Sequence, residues 1–167
     1  AVVATGIAAA DWAAPFDSVS ICLSKGLGAP VGSVLTGSRD FINRAHRYRK
    51  LFGGGMRQAG IIAAGGLYAL QNNIDDLARD HAHAQLIAQA LAERPGIIID
   101  PTEVHTNIVI FEVAASRGTS AQTEEQLKQA GIAGMAFAQQ KVRLVIHRDL
   151  SAQDIDQAVT IIKKVFA

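Results

Sequence analysis

The stretch Ser20–Gly37, SICLSKGLGAPVGSVLTG, decides how the rest of the chain is read. Apolar and β-forming residues over Ser18–Leu23 predict a buried strand, and Val31–Gly37 predicts a second. Between them Ser24–Pro30 has the Gly and Pro content of a turn. Lys25 stands on that turn with no acid within seven residues on either side. A lysine just past a buried strand can be held in a dry pocket. Desolvation there disfavours the ammonium and leaves a nucleophilic amine. Schiff-base chemistry with a carbonyl compound requires that form. The glycines after Lys25 allow close approach of backbone to a bulky ligand. Ser24 offers a hydroxyl to a phosphate, with Ser33 a second candidate. Residue chemistry alone leaves another reading open, a solvent-facing lysine beside a structural glycine turn, because most lysines are surface charges.

Two nucleotide-binding patterns fail on the same residues. A P-loop places its glycines before the lysine, and here they follow it. The dinucleotide turn G-x-G-x-x-G begins at Gly26 and Gly28, but Val31 occupies its third glycine position and Pro30 interrupts the helix that should follow.

Composition bounds the remaining classes. Of 167 residues, 49% are apolar and 19% charged, which fits a folded chain with a sizeable core. A mean hydropathy of +0.19 leads us to expect apolar surface covered by another chain. A net charge of +1 gives no electrostatic reason to bind nucleic acid or a membrane. The single cysteine, Cys22, forms no internal disulfide and favours a reducing compartment, hence a cytoplasmic protein; we expect it to be a small buried residue of the first strand. The N-terminal AVVATGIAAADW lacks a basic n-region, so no signal peptide is expected. The longest uncharged stretch, Gln58–Ile74, is too short and too rich in Gly, Gln and Asn to span a bilayer and is expected to be a buried helix. A start at Ala1, inside apolar sequence, leads us to expect a fragment.

Outward from Lys25, the residues before Asp17 read as short helical pieces broken at Thr5-Gly6 and Pro15. Ser38 is a predicted helix N-cap, with Asp40 in the first turn and Arg47, Arg49 and Lys50 in the last. Gly53–Gly55 ends that helix. Helices are expected over about 57–71 and 75–93, with QNNIDD a kink or a continuation. After Arg94-Pro95-Gly96 the pattern changes to IIID, NIVIFEV, GIAGMAF and VRLVIH as strand candidates. Helices are interleaved at about 120–130 and from the N-cap Ser151, whose apolar face is Ile155, Ala158, Val159, Ile162, Val165 and Phe166.

CLSKGLGAPVGSVLTGSRDFI followed by RYRKLFGGGMRQAGIIAAGGLYAL resembles the low-specificity L-threonine aldolases. DHAHAQLIAQAL, TNIVIF and VRLVIHRDLS follow in the order that family shows. The resemblance implies an α/β fold, the C-terminal part of a pyridoxal-phosphate enzyme of fold type I. The end of the large-domain sheet and linking helices would be followed by a small α+β lobe. Residues 1–75 then belong to the cofactor-binding domain and 76–167 to the small domain, joined by a long helix over about 57–93. It implies pyridoxal 5'-phosphate as cofactor, with Lys25 its covalent anchor, and cleavage of L-threonine or L-allo-threonine to glycine and an aldehyde. A segment like HLDGAR-IWNA, whose Asp pairs with the pyridine nitrogen, would precede this chain. The missing N-terminal half is thus an implied partner. We expect residues 1–167 alone to be weakly active or inactive.

Arg143 shares a predicted strand face with Val145 and His147, while Val142, Leu144 and Ile146 face the other way. Its guanidinium suits bidentate capture of a carboxylate, or else it lies on a solvated face. The resemblance favours binding of the substrate α-carboxylate. Arg39, Arg44, Arg47, Arg49, Lys50 and Arg57 form a basic cluster, but no aromatic stacking surface accompanies it, so nucleic acid is not favoured. Arg39 and Arg44 read as solvated. Lys50 and Arg57 flank the triple glycine, where backbone amides and a helix N-terminus make an anion site. By resemblance they contact phosphate or substrate across a homodimer or homotetramer. His81 and His83 are spaced two apart and cannot chelate one metal in the i, i+4 manner. His46 and His105 read as surface residues, and His147 as structural. No metal is expected. The rival readings are another fold-related enzyme acting on amino acids (a β-eliminating lyase or one similar to serine hydroxymethyltransferase) and an inactive assembly module.

Overall fold

β-forming residues on either side of the Lys25 turn make two antiparallel strands, β1 (Ser18–Cys22) and β2 (Ser33–Gly37), with Ser18 opposite Gly37 and Cys22 opposite Ser33. All 167 residues are described in this computed structural model, and they divide into two units, Ala1–Leu77 and Ala78–Ala167.

In the first unit, α1 (Val2–Thr5) ends at Gly6, whose φ of 71° is the left-handed value that favours glycine, and α2 (Ala9–Ala13) follows. The Ser38 hydroxyl accepts from the Phe41 N–H at 3.3 Å and starts α3 (Arg39–Leu51). Asp40 at its start and Arg49 and Lys50 at its end complement the helix dipole. The last helix of the unit, α4 (Gly60–Asn72), buries a narrow stripe of small residues, Gly66 and Ala69, with Asn73 at its C-cap. Leu23, Ala29 and Ala69 make the small core of this unit.

Two expectations fail here for a common reason. β1, expected as a buried strand, is only half-buried, and its partner β2 is exposed along its whole length. The expected buried helix shows Ile61, Leu67 and Tyr68 to solvent. A two-stranded ribbon cannot shield its own faces, and α4 packs through its small residues Gly66 and Gly65 on Leu23 and Pro30, outside the strands. The linking helix over about 57–93 divides within QNNIDD, the first of the two readings left open there: α4 ends at Asn72, and α5 (Asp76–Ala92) begins after the break.

The second unit is built on a four-stranded antiparallel sheet ordered β3-β4-β6-β5, with β3 (Ile97–Ile98), β4 (Ile108–Val113), β5 (Met135–Ala138) and β6 (Lys141–Val145). β3 is shorter than IIID predicts because the Asp100 side chain accepts from the Thr102 N–H at 2.9 Å and turns the chain into a 3-10 turn at Pro101. β5 begins late because α6 (Ser120–Gln129) closes through the residues before it. Ile132 N–H donates to the Leu127 carbonyl and Gly131 N–H to that of Lys128, with Gly131 at φ 96°. Val109, Phe111 and Val113 of β4 and Val142 and Leu144 of β6 alternate inward. They pack with Ile87 and Leu91 of α5, Leu127 of α6, and Ile155 and Ile162 of α7 (Ala152–Val165).

Ser151 and Asp154 cap α7 reciprocally, as the capping-box spacing predicts. Hydrogen bonds from the Ser151 hydroxyl and backbone hold the Asp154 carboxyl below its ordinary range. The sign follows from that lowering. The cap contributes fully above the unfolded carboxylate pKa and is lost as pH falls through the lowered folded value. Melting temperature measured against pH should therefore fall less steeply on the acid side in Ser151→Ala than in the parent protein.

Candidate functional site

Lys25 follows directly from the register of β1. Leu23 N–H donates to the Gly32 carbonyl at 3.0 Å and Ala29 N–H to the Leu23 carbonyl at 3.0 Å, so Ser24–Gly28 stands out as a small loop. Gly28 N–H closes it onto the Lys25 carbonyl at 2.8 Å, at a φ of 70°. Gly26 serves close packing: a Cβ there would lie 2.9 Å from Leu77 Cδ2.

Ser24 and Lys25 are both exposed on this loop. The expected dry pocket around Lys25 is not formed by these residues, because β1 and α4 cover only the inner side of the loop. No carboxylate of the chain is ion-paired with Lys25. Cys22 is half-buried rather than buried, with Sγ 3.8 Å from the Ser24 hydroxyl oxygen. The Ser24 hydrogen bond is the main cause that lowers its thiol pKa, and the Lys25 charge adds to it. Ser33 lowers that thiol pKa further but, like all of β2, is exposed.

Lys50 lies in the last turn of α3, and Arg57 follows the triple glycine; both are exposed. Gly55 lets the chain fold back over Lys50, since a Cβ would lie 3.1 Å from Lys50 Cγ. Neither side chain shares a hydrogen bond or ion pair with the Lys25 loop. Gln58, beside Arg57, has a φ of 53°, a left-handed backbone that no local pattern predicts.

In the second unit, Arg143 lies on β6 between Ile110 and Met135 in the register. Val142, Leu144 and Ile146 are buried on one face, and Arg143, Val145 and His147 take the other, as alternation predicts. Arg143 is half-buried among exposed Ile108, Ile110, Met135, Phe137 and Val145. Its Nε is buried without a hydrogen-bond partner, which leaves a donor for a ligand to satisfy. His147 is exposed and lies 3.6 Å from the Asp149 carboxylate. His83 is buried, while His46 and His105 are at the surface. A pocket of about 370 Å³ elsewhere in this unit, lined by residues such as Ile87, Ile132 and Leu150, includes neither Lys25 nor Arg143.

What sequence reasoning missed is the brace behind Lys25. Asn73 Nδ2 donates to the Leu27 carbonyl at 2.7 Å. The signal was slight: one Asn at the end of an apolar helix, in register with Gly66 and Ala69 on the i, i+3, i+7 stripe.

The donor set suits a phosphorylated aldehyde cofactor. Lys25 presents an amine on a glycine-lined loop, Ser24 presents a hydroxyl beside it, and no acid competes for the amine.

Comparison with known proteins gives the family and the fold. The chain is 42% identical over 140 residues to low-specificity L-threonine aldolase 1 of Arabidopsis thaliana, covering 83% of this chain and 39% of that protein. It is 43% identical over 155 residues to the low specificity L-threonine aldolase of Escherichia coli K12, covering 93% of this chain and 44% of that one. The chain thus spans about two fifths of the length of the curated relatives it matches. A solved structure of a putative L-allo-threonine aldolase from Listeria monocytogenes superposes with a TM-score of 0.79 over 98% of this chain and 48% of that one, at 17% identity. The shared fold is therefore the α/β architecture of fold-type I enzymes, as the resemblance implied. No helix is long and apolar enough to cross a membrane. Residues 1–116 match the family model described as beta-eliminating lyase, so the chain belongs to the beta-eliminating lyase family.

Proposed function

We propose that the whole protein is a pyridoxal-phosphate-dependent aldolase that cleaves L-threonine, L-allo-threonine and related β-hydroxy-α-amino acids to glycine and an aldehyde. The observation that carries this is Lys25, an amine with no acid paired to it, on a loop braced from behind and open in front. The identities of 42% and 43% to proteins named low-specificity L-threonine aldolases support the substrate class.

Lys25 would hold the cofactor covalently, release it to the incoming amino group and recapture it at the end of the cycle. When bound, the cofactor supplies the electron sink for the pair left on Cα as the Cα–Cβ bond breaks. Ser24 would donate to the phosphate. Lys50 and Arg57 would contribute to the same anion site from a neighbouring subunit of a homodimer or homotetramer. Phe52 at 82% and Ile61 at 85% exposure support burial against further polypeptide. We take the compartment to be cytoplasmic, in keeping with the lone thiol of Cys22.

Arg143 would grip the substrate α-carboxylate through its planar fork. In the full-length enzyme, Arg143→Leu should raise KM for threonine about ten- to a hundredfold, the loss of a charge-assisted hydrogen bond. Arg143→Lys should recover part of that loss, since it restores the charge without the fork. An unchanged KM in both variants would remove Arg143 from the site.

The family model favours a second reading, β-elimination. Incubating the full-length protein with threonine, serine and aromatic amino acids separates the two. Glycine and aldehyde support the aldolase, whereas a keto acid and ammonia support elimination.

A further inference from the structure

Within the loop that carries Lys25, Gly28 N–H donates to the Lys25 carbonyl. Helix α4 adds further support. Gly66 lies against Leu23, where a Cβ would come within 3.0 Å of Leu23 Cδ1. Gly65 lies against Pro30, where a Cβ would come within 2.7 Å of Pro30 Cδ. These glycines seat the chain just before and just after the loop. Two turns further along the same stripe, Asn73 reaches the loop's middle, 5% exposed, with Nδ2 2.7 Å from the Leu27 carbonyl oxygen.

The Leu27–Gly28 peptide group is therefore held at both ends. Its carbonyl accepts from Asn73 and its N–H donates to Lys25. The peptide is planar, so it cannot rotate without breaking both bonds. We infer that Asn73 is a positioning residue for Lys25: it fixes the plane of the Leu27–Gly28 peptide and thereby the direction in which the lysine leaves the loop. This rests on the reading of Lys25 as the covalent anchor. A wandering amine loses attack geometry without losing affinity for the substrate carboxylate, which is gripped elsewhere.

The test uses the full-length holoenzyme with Asn73→Asp, whose carboxylate cannot donate, and Asn73→Leu, which is apolar and of similar size. Hydrogen exchange at Gly28 should quicken about ten- to a hundredfold in both. The Asn73 N–H, bonded to the Ala69 carbonyl within the helix, should stay protected. The pH midpoint of the cofactor's visible band should move, and kcat should fall about tenfold or more while KM changes less than about twofold. Unchanged Gly28 exchange in both variants overturns the inference. So does exchange that quickens along the whole of α4 with a collapse in melting temperature, for then Asn73 is only a core group. Borohydride reduction and peptide mapping of the parent enzyme test the anchor reading separately. A reduced cofactor on another lysine removes the functional half of the inference, even where the exchange result shows the brace intact.

Discussion

Replacing Lys25 by alanine in the full-length enzyme is expected to lower turnover by at least about 10³-fold, roughly 4 kcal/mol of transition-state stabilisation. No second amine stands on the loop: Ser24 precedes Lys25, and Gly26, Leu27 and Gly28 follow it. The same substitution should leave the melting temperature nearly unchanged. Lys25 is exposed and paired with no acid, and exposed side chains away from caps and cores rarely alter stability by more than about 0.5 kcal/mol. A large kinetic loss on an intact fold separates a chemical role from a structural one. Borohydride reduction should leave the cofactor on the peptide that contains Lys25, and its appearance elsewhere would refute the assignment. Ser24→Ala should cost far less, since it removes one neutral hydroxyl.

The largest stability effect is expected at the centre of the second unit. Phe111 is 1% exposed and meets the Phe166 ring edge-on, with centroids 6.2 Å apart and planes at 75°. Arg117 lies over the other ring of the pair, 5.4 Å from the Phe166 centroid. Phe111→Ala should destabilise this unit by about 3–5 kcal/mol, the transfer cost of the ring plus the cavity it leaves. Phe111→Leu, which keeps most of the volume, should cost less than about 2 kcal/mol. Urea melts give the totals, and hydrogen exchange on β4 and β6 locates the loss. If Phe111→Ala costs under about 1 kcal/mol, the ring is not the keystone of this sheet. Phe166 caps the C-terminal end of α7, so the contact joins that helix to β4, one of the sheet's two central strands.

Much of this architecture was legible locally. Gly6 and Gly131 mark helix ends because only glycine takes those φ values at no cost. Ser38 and Ser151 mark helix starts because their hydroxyls accept from free N–H groups of the first turn. The alternation around Arg143 is a two-residue period, and so the inward set Val142, Leu144 and Ile146 follows from spacing alone. Lys25 stood out because it lacks acidic neighbours along the chain. Resemblance to the threonine aldolases then supplied the chemistry that spacing could not.

Burial was not legible, because it depends on what lies opposite. The apolar runs Ser18–Leu23 and Gln58–Ile74 read as buried, yet in this chain β1 is only half-buried and most of α4 is exposed. Composition records how much apolar surface a segment carries, not which neighbour covers it. The sequence by itself determined most of the elements and the helix caps, and it singled out Lys25 as a lysine without acidic neighbours, since these follow from φ preferences, periodicity and charge within a few residues. Only the tertiary structure decided how that amine is held. Asn73 and Leu27 are 46 residues apart, and the hydrogen bond between them exists because α4 returns to the strand pair. A contact across that separation leaves no period in the sequence by which it could be read.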